Sequence, residues 1–239
     1  MVAGDALGSV ASFVMPSGPI DPEEIVSTWI AAVPKDEYAS VGVMLARAFA
    51  DDPLWGALWP DPAHREQSLT RMLGALTRTT VVAGGFARTI GDGAGVALWT
   101  QPGVELDTWA LLRSRLALPR SVMQLPRPER RILLDVLSRM EKRRKALVPE
   151  PHWYLQCVGV DPARQDAGLG AALVREGLAR ASRDGATTYL ETETESNVAF
   201  YKHLGFTVLE KHHLDDLGVP IWLMARPPTA TTRPTQPSR

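Results

Sequence analysis

The run from Val158 to Leu173 combines an apolar, strand-like segment, a turn and a helix that opens with glycines. The first N–H groups of a helix have no partner inside it, and the aligned peptide dipoles place a partial positive charge there. Such a helix start can bind a pyrophosphate through the backbone alone. Gly168 and Gly170 lack the Cβ atoms that would hold a phosphate away. The spacing therefore predicts an anion site at this helix start.

Two other phosphate-binding patterns do not fit this segment. A nucleotide P-loop needs Lys and then Ser or Thr after its last glycine, whereas Ala171 and Ala172 follow Gly170. The dinucleotide fingerprint needs G-x-G-x-x-G, and only one G-x-G is present here. A nucleotide triphosphatase and a dinucleotide site are thus excluded, and the remaining pattern is Gln-x-x-Gly-x-Gly at residues 165–170.

The elements after this loop have a regular order. A helix is predicted for Gly168–Arg183, followed by a β-rich run at residues 187–192. Strand, helix and strand make a crossover unit.

A second short helix is predicted next, from about residue 198. Ser196 is its predicted N-cap and Gly205 its predicted C′ residue. Asn197 and Tyr201 are four residues apart, so both project from neighbouring turns on one helix face.

These two motifs together resemble the GCN5-related N-acetyltransferase (GNAT) superfamily. The first is the loop at residues 165–170, and the second comprises Asn197, Tyr201, Gly205 and Phe206. The segments at residues 95–102, 153–160, 190–192 and 200–208 narrow the resemblance to the subgroup that contains puromycin N-acetyltransferase. The likeness extends from about Ile25 to Arg226.

The resemblance implies a mixed α/β fold. A twisted, mostly antiparallel sheet is expected to splay at the acetyl-CoA site and to carry helices on both faces. We expect one domain at residues 25–226, an extension at 1–24 and a disordered tail at 227–239 that is rich in Pro, Thr and Ser. A helical insertion near residues 104–151 would help to form the acceptor pocket.

The individual elements follow from hydrophobic periodicity and breakers. A strand is predicted at Ile25–Ala32, and strands at Val81–Thr89 and Gly95–Thr100 form a predicted hairpin. Helices are predicted at Lys35–Phe49, His64–Thr79, Asp107–Leu116 and Pro128–Leu147.

The resemblance also implies the cofactor contacts. The backbone of Val158, Gly159 and Val160 would hold the pantetheine arm and polarise the thioester carbonyl. The pyrophosphate would lie against Gln165, Asp166, Ala167, Gly168, Leu169, Gly170 and Ala171, and Asn197 and Tyr201 would contact the arm. Asp166 departs from the family pattern, where glycine or a basic residue is common. Either it weakens cofactor binding or its side chain points outward while its N–H binds.

Transfer of an acetyl group to an amine needs a proton donor for the leaving thiolate and a group that takes the amine proton. A tyrosine pKa of about 10 suits the donor, and the resemblance gives that role to Tyr201. Packing on Phe206 is the structural alternative. Glu191 could take the amine proton through water if burial raises its pKa, or it could serve a structural role.

The predicted acceptor contacts are a small set of acidic and aromatic residues. Glu193 could form part of an acidic rim for a cationic amine, and Asp52 stands near the position of a tyrosine in the puromycin enzyme. The set consists of Asp52, Trp55, Trp59, Trp109 and Glu193.

Composition limits the other classes of function. Lys plus Arg number 26 against 27 for Asp plus Glu, a net charge of −1, which argues against general binding to nucleic acid or membrane. The basic run at 127–145 is read as a solvated helix face, and His212-His213 with Asp215-Asp216 would not converge on a metal. The single cysteine, Cys157, is read as a packed thiol in a cytoplasmic protein, monomeric or homodimeric.

The sequence thus predicts acetyl-CoA-dependent N-acetylation of a primary amine on a small molecule, an antibiotic or a related metabolite, by direct transfer. Acetylation of a protein or peptide amine and a non-catalytic acetyl-CoA-binding regulatory module are the alternatives. No metal and no nucleic-acid partner is expected.

Overall fold

The computed structural model describes residues 30–104, 117–165 and 167–228. Seven strands form one sheet in the order β1-β2-β3-β4-β5-β7-β6, and every described neighbouring pair is antiparallel except β4 with β5. The strands are β1 Ile30–Ala32, β2 Phe86–Ile90, β3 Gly95–Thr100, β4 Trp153–Val160, β5 Thr188–Thr192, β6 Thr207–Leu214 and β7 Val219–Arg226.

Helices cover both faces of this sheet. They are α1 Tyr38–Ala48, α2 Pro53–Leu58, α3 Pro62–Ala83, α4 Ala117–Met123, α5 Arg127–Leu147, α6 Leu169–Arg183 and α7 Glu195–His203. One face, which we call the α5 face, packs against α1 to α5. The opposite α6 face packs against α6 and α7. The predicted mixed α/β fold is confirmed.

The sheet opens between β4 and β5. The two strands pair only at Trp153 with Thr188 and at Tyr154 with Tyr189. Beyond that point β4 continues along β3 as far as Val160, while β5 continues along β7. The sheet is therefore splayed between the last residues of β4 and β5, as expected for this fold.

Close helix packing on the two faces depends on small residues. A Cβ at Gly42 of α1 would lie 2.3 Å from the carbonyl oxygen of Thr70 in α3. On the α6 face, a Cβ at Gly177 would lie 2.3 Å from the ring of Trp99. Glycine at these two positions lets α1 approach α3 and lets α6 lie on the central strands.

The predicted hairpin is present, but the predicted boundary between the preceding helix and its first strand was wrong. Residues 81–83, predicted to be strand, belong to α3. The helix continues to Gly84, whose φ of 104° and backbone bonds to Thr80 and Val81 end it. The burial of Thr77, Thr79 and Thr80 in the preceding turn keeps the chain helical here and overrides the local preference of Val81 and Val82 for strand.

The start of α7 also differs from the prediction. Thr194 is its N-cap, because its Oγ1 accepts from the backbone N–H of Asn197 at 3.2 Å. Ser196 lies inside the first turn. At the other end Gly205 has a φ of 87° and is the C′ residue, as predicted.

Several predictions fall on residues that the structure does not describe. They concern the extension at 1–24, most of the strand at 25–32, the helix at 107–116 and the tail from residue 229. Within the described ranges, no helix is long and apolar enough to cross a bilayer.

Candidate active site

The predicted pyrophosphate loop joins β4 to α6. Asp161 follows β4, and its carboxylate accepts from the N–H of Ala163 at 3.0 Å and from Arg47 of α1 at 2.5 Å. After this turn Gly168 has a φ of 73°, which favours glycine, and α6 starts at the next residue. Among the described residues no side chain caps α6, and its first N–H groups have no acceptor within the helix.

The start of α6 lies directly against the end of β4. A Cβ at Gly170 would lie 3.5 Å from Val160 Cγ2, an ordinary contact distance. At Gly159 a Cβ would lie 2.7 Å from Leu45 Cδ2, so glycine allows α1 to approach the strand. The strand end and the helix start, the two parts that the resemblance assigns to pantetheine and pyrophosphate, therefore meet at the opening of the sheet.

The other predicted loop residues follow the same path. Gln165 is exposed beyond the turn, and its Nε2 donates to the carbonyl of Val160 at 3.4 Å. Ala167 is exposed, and Leu169 and Ala171 lie in the first turn of α6. Asp166 lies outside the described residues.

These groups fit acetyl-CoA. The start of α6 and the edge of β4 that has no β5 partner beyond Tyr154 both offer backbone groups, which suit a pyrophosphate at one end and an extended arm at the other.

Tyr201 of α7 approaches the opening from the α6 face. Its ring is 8% exposed and packs edge-on against Phe206 at 5.7 Å and Phe200 at 5.0 Å. Among described residues its hydroxyl has no hydrogen-bond partner. Burial raises the pKa of Tyr201, and Cys157 and Glu193 raise it further. The phenol is therefore neutral and holds a proton. Asn197, one turn earlier, is exposed.

Glu191 lies near the end of β5 on the α5 face. Its Oε2 accepts from the hydroxyl of Tyr154 at 2.6 Å and its Oε1 from that of Tyr189 at 2.9 Å. Burial raises the pKa of Glu191, while both hydroxyls and Arg144 oppose the shift. Arg144 also lies over the Tyr154 ring, 5.1 Å from its centroid. Glu191 is thus held firmly between β4 and β5.

A second acidic group faces the same opening. The Oδ1 atom of Asp52 caps α2 by accepting from the N–H groups of Leu54 at 3.0 Å and Trp55 at 3.2 Å. The carboxyl of Glu193 is close enough for the charge of Asp52 to act on it. Burial, first of all, raises the pKa of both acids, and that of Glu193 rises well above its usual value.

The nearby thiol of Cys157 is a packed group. Burial raises its pKa to about 12, with further contributions from Asp52 and Glu193. It is therefore protonated at neutral pH, in agreement with its interpretation from the sequence.

The predicted aromatic contacts separate into different roles. Trp55 stacks on Trp59 with ring centroids 5.5 Å apart. Trp59 is 1% exposed, and its indole N–H donates to Glu129 of α5 at 2.8 Å. Contrary to the prediction, it offers no accessible surface to an acceptor and instead supports the partly exposed Trp55. Trp109 lies outside the described residues.

Sequence reasoning missed the two tyrosines around Glu191. Tyr189 could have been found, because residues two apart in a strand share a face. Tyr154 could not, because its approach to Glu191 depends on the register between β4 and β5.

Three basic residues of helix α5 form ion pairs with acids. Arg139 binds Asp216 and Asp135, Arg143 binds Glu210, and Lys145 binds Glu141. These ion pairs match the interpretation of this run as a solvated helix face.

Comparison with known proteins agrees with this geometry. Residues 136–206, which span the second half of α5, β4, the loop, α6, β5 and all of α7, match the model of the Acetyltransferase (GNAT) family. The chain is 28% identical over 217 residues to the uncharacterised N-acetyltransferase C550.08 of Schizosaccharomyces pombe, covering 85% of each protein. It is 34% identical over 71 residues to the peptidyl-lysine N-acetyltransferase YjaB of Escherichia coli, which covers 30% of this chain and 47% of that one.

The fold has solved counterparts. A Corynebacterium glutamicum structure described as histone acetyltransferase HPA2 and related acetyltransferase superposes with a TM-score of 0.60 at 24% identity, over 86% of this chain and 98% of the other. The family match includes the cofactor loop described above, and the similarity to the Schizosaccharomyces pombe protein extends over 85% of each chain. The chain is therefore an acetyl-CoA-dependent N-acetyltransferase whose residues 136–206 match the GNAT family.

Proposed function

We propose that this enzyme acetylates a primary amine of a small molecule, an antibiotic or related metabolite, by direct transfer. The proposal rests on the packing of helix α2, whose N-cap is Asp52, against its neighbouring elements near Glu193. Helix α2, which Asp52 caps, packs against α5 and β7, and the bond from Trp59 to Glu129 fixes its end. Two acids with raised pKa values and a partly exposed indole suit a cationic amine.

The chain's own groups can carry the reaction. Bound acetyl-CoA supplies the activated acetyl thioester. The edge of β4 at Val158–Val160, which has no β5 partner, would align the donor as an added strand and offer N–H groups to its carbonyl. Tyr201, neutral and without a partner among described residues, donates its proton to the departing thiolate.

The test is a measurement of acetyl-CoA-dependent mass gain. Purified protein is incubated with puromycin, aminoglycosides, nucleoside antibiotics, polyamines and lysine peptides. We expect product from one small-molecule class. Product from lysine peptides alone would contradict the proposal, and so would confirmed acetyl-CoA binding with no product from any amine.

A protein or peptide amine is the second candidate acceptor. It is favoured by the likeness to a peptidyl-lysine N-acetyltransferase, although that likeness covers 30% of this chain. The lysine peptides in the mass-gain assay decide between a small-molecule acceptor and a protein or peptide acceptor. The narrower resemblance to the puromycin subgroup stays a prediction, which the puromycin assay addresses directly.

A further inference from the structure

Five side chains on the α5 face form a closed set of contacts where β4 and β5 begin to separate. They come from α5, from β4 and the residue before it, and from β5. We call this set the junction cluster, and it consists of Arg144, His152, Tyr154, Tyr189 and Glu191.

The strand part of the junction cluster centres on Glu191. Its Oε2 accepts from the Tyr154 hydroxyl at 2.6 Å and its Oε1 from the Tyr189 hydroxyl at 2.9 Å, and the two phenol rings lie 5.6 Å apart. Burial, and then the charge of Glu191, raise the pKa of both tyrosines, so both hydroxyls keep their protons and donate. Both oxygens of Glu191 are therefore engaged in holding β4 against β5.

Arg144 completes the set of contacts from α5. Its guanidinium carbon lies 5.1 Å from the centroid of the Tyr154 ring, and its Nη1 lies 3.1 Å from Nε2 of His152. The imidazole of His152 in turn packs edge-on against the Tyr189 ring, with centroids 5.8 Å apart. Every member of the junction cluster therefore contacts at least two others.

Hydrogen-bond chemistry defines the state of His152. A guanidinium can only donate, so Nε2 of His152 is the acceptor of the bond from Arg144. The carbonyl oxygen of Glu150 can only accept, and it lies 2.7 Å from Nδ1 of His152, which therefore carries the proton. His152 is thus a neutral imidazole held on both sides, and it holds the guanidinium of Arg144 beside the strands.

Arg144 also favours the charge state in which Glu191 joins the strands. Burial raises the pKa of Glu191, while the two tyrosine hydroxyls and Arg144 oppose this shift. An ionised carboxylate can accept on both oxygens, whereas a protonated one must use one oxygen to carry a proton. The cation over the Tyr154 ring therefore supports both hydroxyl bonds, although it belongs to a different element.

The junction cluster lies at the start of the opening that is expected to hold the acetyl-CoA arm. Backbone pairing between β4 and β5 ends at Tyr154 with Tyr189, and β4 continues to Val160 without β5 beside it. The separation of the strands further along depends on the angle at which they part. A small change in the junction cluster would therefore move the edge of β4 that the arm contacts.

We propose that the junction cluster sets the separation of β4 and β5 at the cofactor opening, and that Arg144 is the positioning residue through which α5 maintains this separation. Glu191 is the anchor that receives both tyrosine hydroxyls. This inference goes beyond the proposed acceptor, because it concerns the side of the enzyme that binds acetyl-CoA and applies to either acceptor class.

The first test compares Arg144→Gln with Arg143→Gln by calorimetric titration with acetyl-CoA. Arg143 is the adjacent arginine of α5 and binds Glu210 on β6, so its replacement removes an ion pair of the same helix outside the junction cluster. We expect Kd for acetyl-CoA to rise about tenfold in Arg144→Gln and to stay within about twofold of wild type in Arg143→Gln. Equal Kd values for Arg144→Gln and wild type would overturn the proposal.

Arg144→Lys is the conservative variant. Lysine keeps a cation that can lie over the Tyr154 ring and can donate to His152, so we expect it to restore Kd to within about threefold of wild type. If α5 needed only a long side chain at this position, Arg144→Gln and Arg144→Lys would bind acetyl-CoA equally, and the positioning role would fail.

Steady-state kinetics with an acceptor from the mass-gain assay separate positioning from proton transfer. Arg144→Gln and Glu191→Gln should each lower kcat about tenfold, because the thioester is misplaced on the β4 edge. Both should keep the wild-type shape of kcat/KM against pH, since a positioning residue exchanges no proton in the reaction. A changed pH profile in Glu191→Gln would overturn its assignment as an anchor.

Hydrogen exchange followed by mass spectrometry needs neither cofactor nor acceptor. The N–H of Trp153 donates to the carbonyl of Thr187 at 2.8 Å, beside the last paired residues of β4 and β5. In Arg144→Gln we expect faster exchange in peptides that cover the start of β4 and of β5, with unchanged exchange in the β2–β3 hairpin. Equally faster exchange in both regions would show a loss of global stability and would contradict a local role for Arg144.

These outcomes are distinguishable from a failure of the proposed function. If no small amine is acetylated but Arg144→Gln weakens acetyl-CoA binding, the acceptor class is wrong and the positioning role stands. If small amines are acetylated and Arg144→Gln keeps wild-type affinity and turnover, the acceptor class is right and the positioning role fails.

Discussion

The hydroxyl of Tyr154 on β4 donates a 2.6 Å hydrogen bond to Glu191 on β5, just past the last backbone pairing of the two strands. Tyr189, the pairing partner of Tyr154, donates to the other carboxylate oxygen. Side chains therefore join the strands where the backbone ceases to do so, and the rest of the opening is left for the cofactor arm.

Tyr154→Phe is predicted to weaken the junction between β4 and β5. The partly buried Glu191 carboxylate would lose its shortest hydrogen bond, which costs about 1–3 kcal/mol of unfolding free energy. Urea denaturation at pH 7 measures the change. Tyr38→Phe on α1, which removes a hydroxyl from another part of the fold, serves as the control. Equal unfolding free energies for wild type and Tyr154→Phe would show that the bond contributes nothing.

Tyr201→Phe is predicted to lower kcat about 100-fold, with little change in acetyl-CoA affinity. The ring would keep its edge contacts with Phe200 and Phe206, so only the proton donor is lost. Steady-state kinetics and calorimetric titration with acetyl-CoA give the two numbers separately. A variant with wild-type turnover would remove Tyr201 from the proposed mechanism.

The two glycines at the start of α6 are predicted to respond differently to alanine. Gly168 has a positive φ, and no atom lies within 4 Å of the position that an alanine Cβ would occupy, so Gly168→Ala should cost about 1–2 kcal/mol from backbone strain alone. Gly170→Ala, in the helix with an ordinary contact to Val160, should keep or slightly raise stability but weaken acetyl-CoA binding.

Thermal unfolding and acetyl-CoA titration of both glycine variants check this contrast. Unchanged affinity in Gly170→Ala would place the cofactor away from the first turn of α6.

Glu129→Ala is predicted to loosen the cover formed by α2 and α5. The buried indole N–H of Trp59 would lose its acceptor, at a cost of about 1–3 kcal/mol. Glu141→Ala on the same helix breaks only an exposed pair with Lys145 and should cost about 0.5 kcal/mol or less. Chemical denaturation of the two variants tests the difference, and similar losses would mean that the bond to Trp59 does not hold α2 in place.

Much of the fold could be predicted because its signals are local. The loop at residues 165–170, the α6 period and Gly205 depend on residues within one or two turns of each other, and all three were located correctly. Predictions were wrong where the local conformational preference of a residue disagrees with the element that tertiary packing imposes. Val81 and Val82, which prefer strand but lie at the end of α3, are an example. The N-cap of α7 was misplaced because Thr194 and Ser196 are both suitable residues, and only the backbone angles distinguish them.

The amino-acid sequence by itself determined the kind of chemistry, since a glycine-opened helix after a strand and a tyrosine one turn after Asn197 are patterns of neighbouring residues. Tertiary structure alone decided which partners each carboxyl group of the site contacts. The register of β4 against β5 brings Tyr154 to Glu191, and the docking of α2 brings Asp52 to Glu193 and buries Trp59. Such contacts join residues far apart in the chain, so they depend on how whole elements pack and not on any periodicity that a sequence displays.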